Sequence, residues 1–165
     1  MEEYKPGFTY TVEHIGADGV VKSVEEIHNL IPTEGLDYLL NVAFKGGSAF
    51  SSWYLGLYDN ARTPVAGDTM TTLIADCGEN QDYTGSGRQA ITFPAVSSGS
   101  LSTVADPNVF DFTTAETIRG AFMTTSVTWG GTTGLLVSAV QFSSPKVVAA
   151  GESLRVPVAF ALISA

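Results

Sequence analysis

Two histidines, a cysteine and a short acidic run are the side chains of this chain best placed to do chemistry. His14 shares one side of an alternating stretch with Phe8, Tyr10 and Val12, a pattern typical of a half-buried strand. The next extended stretch contains His28, and a hairpin turning near residue 18 would separate the two imidazoles by roughly 23 Å. They could not then bind one metal ion. We expect His14 to be a hydrogen-bonded, half-buried residue of the fold.

Cys77 lies within the acidic run formed by Asp76, Glu79 and Asp82. A nucleophilic cysteine needs a base and a lowered pKa, whereas acidic neighbours raise the pKa of a thiol. We therefore expect Cys77 to be inert. The three carboxylates could supply oxygen ligands to calcium, but their spacing differs from that of an EF-hand loop, and a solvated loop is the favoured interpretation.

Motifs for enzymatic chemistry are missing from the sequence. It contains no nucleophile elbow, P-loop, dinucleotide fingerprint or paired zinc ligands. A glycosidase needs two facing carboxylates, and no pair among the 17 acidic residues is singled out by its position. We therefore expect a protein that is not an enzyme and that holds no metal or cofactor.

The composition restricts the partners of the chain. Its 165 residues suit one domain, residues 1–165, and a net charge of −9 opposes binding to nucleic-acid phosphates. A single cysteine allows no intrachain disulfide. No apolar run approaches the length of a membrane span, and the N-terminus lacks the pattern of a signal peptide. We expect synthesis in a cytoplasm and no membrane contact.

The aromatic stretch 50–59 predicts the central strand of a sheet. Alternate residues give it an apolar side and an aromatic side. The apolar side carries Trp53, Leu55 and Leu57, and the other carries Tyr54, Gly56 and Tyr58. We expect Trp53 to lie in the core.

Trp129 precedes Gly130 and Gly131 at a predicted loop tip, where its ring either anchors a partner or folds back onto the protein.

A hairpin and a helix are predicted before this strand. Residues 8–15 and 20–28 alternate around a turn, and in a hairpin centred there His14 lies opposite Val21 and His28 opposite Gly7. The period then changes to that of a helix near residues 33–45. Thr33 is its expected N-cap, and its apolar stripe is Leu36, Leu39, Leu40 and Ala43. We expect this short helix to cover one end or edge of a sheet.

The rest of the chain reads as strands joined by turns. A polar stretch reaches residue 86, with a possible helical turn at residues 71–75. Pro145 is expected to break one strand, and Pro157 to mark an edge or a bulge in the last. The strands are predicted at residues 88–93, 101–104, 109–113, 117–124, 135–142 and 153–163. The chain is thus mainly β, with nine or ten strands stacked as two antiparallel sheets or closed into a barrel.

From Trp53 onwards, the order of these features resembles a group of tailed-bacteriophage virion proteins. The pieces that carry the resemblance are turn and strand patterns. They are Tyr-Leu-Gly-Leu-Tyr-Asp-Asn at 54–60, Thr63-Pro64, Gly67-Asp68-Thr69, the series Glu79, Tyr83, Gly85 and Arg88, Ile-Arg-Gly-Ala-Phe at 118–122, Val140-Gln141-Phe142 with Pro145, and Ala-Gly-Glu-Ser-Leu at 150–154. The resemblance implies an antiparallel β-sandwich of jelly-roll type.

The resemblance also implies a function. Such proteins act as cement or decoration proteins that bind the major capsid protein and stabilise the shell as homodimers or homotrimers, or they form other repeated structural parts of the virion. This implies a place on the capsid surface of a virion. Residues 50–165 would form the core sandwich, and residues 1–49 could be a partner-contacting extension. The candidate contact residues are Tyr4, Phe8 and Trp129.

Two other functions stay open. One is a tail- or fibre-associated β-sandwich that binds a carbohydrate or a receptor, which would require exposed aromatic residues in a groove. The other is an enzyme on the same fold, such as a polysaccharide hydrolase, which the missing motifs disfavour.

Overall fold

The computed structural model describes residues 6–162 of the chain, which form two antiparallel sheets and two helices. The fold is mainly β, as predicted. In chain order the elements are β1 (Phe8–Ile15), β2 (Val21–His28), α1 (Thr33–Phe44), β3 (Trp53–Tyr58), α2 (Met70–Cys77), β4 (Glu79–Asn80), β5 (Gln89–Ile91), β6 (Ser100–Ser102), β7 (Asn108–Asp111), β8 (Glu116–Thr124), β9 (Leu136–Val148), β10 (Ser153–Val156) and β11 (Val158–Ala161).

The first sheet is built around β1. Its strand β2 pairs along one side, and β10 and β11 pair with successive parts of the other side, since Glu13 aligns with Arg155 and Phe8 with Phe160. Beyond them, β7 pairs with β10 and β6 with β11. The N-terminal hairpin of β1 and β2 therefore belongs to this sheet.

The second sheet is built around β3 and β8. Strand β8 pairs with β3 on one side and with β9 on the other, while β4 and β5 pair with the far side of β3. The outer edge of β9 is closed at one point, because the backbone groups of Leu30 and Ala139 exchange two hydrogen bonds of 3.2 Å.

The two sheets face each other across one hydrophobic cluster, in the manner of a β-sandwich. From the first sheet it contains Tyr10, Val12 and Leu154, and from the second Leu55 and Met123. A smaller cluster lies on the outer face of the second sheet, beneath α2. Its members are Tyr58, Met70, Leu73, Cys77, Phe122, Leu136 and Ala139.

Strand β3 contributes to both clusters, which confirms its predicted central position and its two different sides. Leu55 and Leu57 point into the main cluster, and Tyr58 into the smaller one. Trp53 packs against the main cluster, as expected.

Two glycines on β3 and β8 make room for aromatic rings. In the ladder Gly56 lies opposite Phe122, and Tyr58 lies opposite Gly120. A Cβ atom built on Gly56 would lie 2.4 Å from the Phe122 ring, and one built on Gly120 would lie 2.0 Å from the Tyr58 ring. Each ring therefore covers the glycine of the facing strand.

The predicted hairpin is confirmed, but its predicted register is wrong by two residues. His14 lies opposite Ser23, and His28 lies opposite Thr9. The shift has two causes. The turn is centred half a residue later than expected, which moves each partner by one residue, and a bulge between Val21 and Ser23 adds one more residue to β2. A shift by two keeps each side chain on its predicted face, because strand side chains alternate with a period of two.

Helix α1 forms where it was predicted and packs at the edge strand β9. Its N-cap position is Pro32, so the prediction of Thr33 is wrong by one residue. Only one residue of the predicted apolar stripe faces the sandwich. Leu39 packs against the main cluster, whereas Leu36, Leu40 and Ala43 are exposed.

Gly35 explains this rotation of α1. A Cβ atom at Gly35 would lie 3.1 Å from the Cα and the carbonyl oxygen of Val137. The helix backbone thus approaches β9 closely along its glycine side, and the leucines next to that side are left outside.

Several boundaries differ from the sequence prediction. Ser143 to Pro145 does not end β9, because the ladder continues beyond a bulge: Gly120 pairs with Gln141 and Ile118 with Lys146. The strand with Pro157 is not at an edge, but it is divided there into β10 and β11. The described residues contain eleven strands, where nine or ten were expected, and a full helix α2 where only a turn was suggested.

The glycine–aromatic pairs predict the effect of a methyl group. We expect Gly56→Ala and Gly120→Ala each to lower the free energy of unfolding by about 1–3 kcal/mol, the usual cost of overpacking, because Phe122 and Tyr58 are fully buried and have no free space to move into. Urea unfolding measures this change. Gly67→Ala is the matched control, since nothing lies within 4 Å of a Cβ there, and an equal loss in all three variants would contradict the prediction.

Candidate functional site

The two predicted contact residues that the structure describes, Phe8 and Trp129, both pack against other residues of the fold. Phe8 is 7% exposed, and its ring lies 4.8 Å from that of Phe160. Trp129 folds back onto the protein: its indole N–H donates to the Tyr83 hydroxyl at 2.7 Å, and it packs against the main cluster. Tyr4 lies outside the described residues.

His14 lies in a small ionic cluster between the sheet and a turn. Its Nε2 atom is 2.7 Å from a carboxylate oxygen of Glu152, and Lys22 also pairs with Glu152. The bulge in β2 lies at Lys22. The hydrogen bond from Lys22, the backbone N–H of Ala149 and the contact with His14 together lower the pKa of Glu152 to about 2. His14 is thus a hydrogen-bonded residue of the fold, as predicted.

Cys77 is buried in the cluster beneath α2. Burial raises the pKa of its thiol, and the nearby guanidinium of Arg62 offsets this only in part. A raised pKa disfavours the thiolate that a nucleophile or a metal ligand needs. The geometry therefore agrees with the expectation of an inert thiol.

The acidic run is not a solvated loop as a whole: Asp76 and Glu79 each pair with an arginine, and only Asp82 is an exposed carboxylate without an ion pair among the described residues. Arg88 donates to both carboxylate oxygens of Glu79, at 2.7 and 2.8 Å. The exposed fraction is 0% for the Arg88 side chain and 1% for that of Glu79. Asp76 lies 3.2 Å from Arg62. Within residues 6–162, no group of three or more acidic, histidine or cysteine side chains is arranged to hold a metal ion.

The Glu79–Arg88 pair organises the loop that carries Trp129. Arg88 donates to the carbonyl oxygens of Ser126 and Gly131, and Glu79 accepts from the backbone N–H of Gly130 at 2.6 Å. A buried pair is stable only when its remaining donors and acceptors are satisfied, and these backbone groups satisfy them. The pair thus has a structural role.

A second ion pair fixes the start of α2. Arg62 donates to both oxygens of Asp68 at 2.6 Å, and Asp68 also accepts from the backbone N–H of Val65. Burial alone would raise the pKa of Asp68, but these hydrogen bonds outweigh it and lower the pKa. Thr69 and Thr72 then form a reciprocal capping box at the helix N-terminus.

The outer face of α1 is the surface that sequence reasoning missed. We use this name for Leu36, Leu40, Ala43 and Phe44. The exposed fractions are 37% for Leu36, 57% for Leu40 and 80% for Phe44. These three residues are spaced four apart, so they lie along one side of the helix. A sequence signal was present, because Phe44 continues the four-residue spacing of Leu36 and Leu40 along the same side of the helix.

A groove with a mixed polar and apolar lining lies beside the bridge between Leu30 and Ala139. It has a volume of about 550 Å³. Its polar lining includes His28, Asn29, Thr63 and Gln141, and the aromatic ring beside it, Phe142, is only 4% exposed.

Comparisons with known proteins give no assignment. No family model matches the chain, and no curated protein matches it significantly. Neither helix of the described residues is long and apolar enough to cross a membrane.

The Glu152 cluster predicts an acid-dependent loss of stability. Because the pKa of Glu152 is lowered from 4.5 to about 2 in the folded protein, its stabilising effect is present above pH 4.5 and is lost as the pH falls towards 2. We expect Glu152→Gln to lower the free energy of unfolding near neutral pH and to flatten its decline over that range. Urea unfolding at about pH 6, 4 and 2.5 measures both effects.

The matched control for this experiment is Glu26→Gln, since the Glu26 side chain is exposed on the same hairpin. That variant should follow the wild type at each pH. An unchanged acid slope in Glu152→Gln would show that the cluster does not link protonation to folding.

Proposed function

We propose that this chain is a structural virion protein, a capsid cement or decoration protein that binds across neighbouring major capsid subunits and stabilises the shell. We further propose that its two sheets form a sandwich of jelly-roll type. The pairing of β1 with the last strands supports this topology, because a Greek-key connection returns a late strand to lie beside the first.

The proposal rests on the structural role of the residues that carry the resemblance to virion proteins. Gly56 and Tyr58 form the reciprocal packing with β8, Asp68 binds Arg62 at the start of α2, and Glu79 binds Arg88. Each of these positions holds the second sheet and its outer layer together. A set of residues that builds architecture suits a protein whose task is structural.

The distribution of charge supports a protein partner over a nucleic acid. Five of the eight basic residues take part in ion pairs with acidic side chains of the same chain. Neutralising phosphates requires free Lys and Arg side chains, and the net charge is −9. An apolar surface, such as the outer face of α1, instead offers area that burial against a protein can use.

A cement protein works by adding interface between subunits. Each 1.4 kcal/mol of added interface energy changes a binding constant about tenfold, so a modest contact repeated over a shell resists internal pressure. Sites that span two subunits exist only after assembly. The protein should therefore distinguish an assembled shell from its separate subunits.

The second candidate, a carbohydrate- or receptor-binding module, is favoured by the groove beside Leu30 and Ala139. The side-chain amide N–H groups of Gln141 could bind hydroxyl groups there, whereas the Asn29 amide is already hydrogen-bonded to three other residues of the fold. That function also calls for an exposed aromatic ring in the groove, and the ring of Phe142 is buried. A glycan array distinguishes this candidate, since a cement protein would bind none of the glycans.

Binding to assembled shells tests the proposal. We expect the protein to co-sediment tightly with shells stripped of it, and to show little binding to free major capsid subunits in gel filtration, because its sites span neighbouring subunits. Equal binding to shells and to free subunits would contradict a cementing role.

A further inference from the structure

We propose that this chain binds a small, neutral aromatic molecule in an apolar cavity between its two sheets. The inference rests on this cavity alone, and it holds whether or not the chain proves to be a virion protein.

The cavity lies at one end of the sandwich, and we call it the end cavity. Phe8 and Trp53 begin β1 and β3, and Val137 is the second residue of β9. Met123 and Phe160 are the next-to-last residues of β8 and β11. These five side chains line a volume of about 200 Å³. Because they come from both sheets, the end cavity is a space between the sheets.

The end cavity connects the buried core with the solvent. Its lining residues Phe8, Met123 and Val137 are buried. The remaining lining side chains are half-buried, including Phe93 in the segment after β5 and Leu101 on β6. A small molecule can therefore enter without separation of the two sheets.

The lining favours a ligand without charge. All eight described residues that line the end cavity have apolar side chains, and none of them can be ionised. A charged group placed there would lose its hydration and gain no opposite charge. An apolar cavity of about 150 Å³ with a similar lining stays dry and binds benzene. A volume of about 200 Å³ therefore suits one aromatic ring with a small substituent.

The aromatic residues of the lining favour an aromatic ligand and are held in place by other rings. The ring of Phe8 lies 4.8 Å from that of Phe160. The Trp53 ring meets Tyr38 at 5.7 Å and Phe50 at 6.1 Å, both edge to face. Aromatic rings pack well in such tilted and edge-to-face pairs. Rings that are already fixed lose little freedom when a ligand binds, which lowers the cost of binding.

Toluene is the probe that matches this size and chemistry, and an NMR titration of the full chain measures its binding. A ligand with so few atoms binds weakly even in a well-formed site, so we expect a dissociation constant on the order of 0.1–1 mM. Benzoate is the matched control ligand, because it has the same ring and a negative charge. It should bind roughly tenfold more weakly or less.

Nuclear Overhauser effects locate the bound probe. Toluene protons should give them to the methyl groups of Met123 and Val137, which line the end cavity. The methyl group of Met70 is the internal control, since Met70 is also buried but belongs to the smaller cluster beneath α2. It should give none.

A cavity-filling variant tests the site by mutation. Leu101→Phe enlarges a half-buried side chain of the lining and should weaken toluene binding roughly tenfold or more. Val109→Phe is the matched control, since Val109 lies on the short strand β7 at another edge of the same sheet and does not line the end cavity. It should bind toluene like the wild type, and thermal unfolding verifies that both variants fold.

Three results would overturn the proposal. One is a full chain that binds no toluene, whether its side chains close over the cavity or another part of the chain fills it. The others are benzoate binding as tight as that of toluene, and toluene that contacts Met70 in place of Met123. A folded Leu101→Phe variant with unchanged affinity would also overturn it, and the measurements on the wild type stand if that variant does not fold.

Discussion

The reciprocal packing of β3 against β8 is the constraint on which the rest of the structure depends. Gly56 faces Phe122 and Tyr58 faces Gly120, so each strand gives up one side chain to make room for a ring of the other. The two rings form the base of the outer cluster on which α2 packs. The opposite face of the same two strands supplies Leu55 and Met123 to the main cluster. One strand pair thus joins two hydrophobic layers.

Several charged side chains of this protein form ion pairs that join distant parts of the fold. Glu25 on the edge strand β2 points inward and binds Lys146 and the backbone N–H of Ser143, both on β9. Burial alone would raise the pKa of Glu25, but these partners outweigh it and lower the pKa. Inward-pointing charges on edge strands oppose pairing between sheets of different molecules. Strands β2 and β9, which form one edge of each sheet, are therefore tied to each other within one molecule.

The sequence predicted those parts of the fold that depend on local patterns. Alternation identified β1 and β3, and the helical period identified α1, because each of these periods lies within one short segment of the sequence. The strand register and the packing of the helix were predicted less well from the sequence. Lys22 lies at one bulge and Lys146 follows another, and the ion-pair partner of each lysine is more than a hundred residues away. The rotation of α1 depends on the contact of Gly35 with Val137, which no local pattern encodes. For the same reason the candidate surface was missed, since the leucines of α1 were expected to face the sandwich.

Quantitative mass spectrometry of purified particles from the source tests the central claim, that this chain is a repeated structural part of a virion, most directly. The number of copies of this chain per particle is the quantity to measure. A capsid cement protein predicts hundreds of copies, in a fixed ratio to the major capsid protein. A few copies would move the chain to the tail or a fibre, and its absence from the particles would contradict the account.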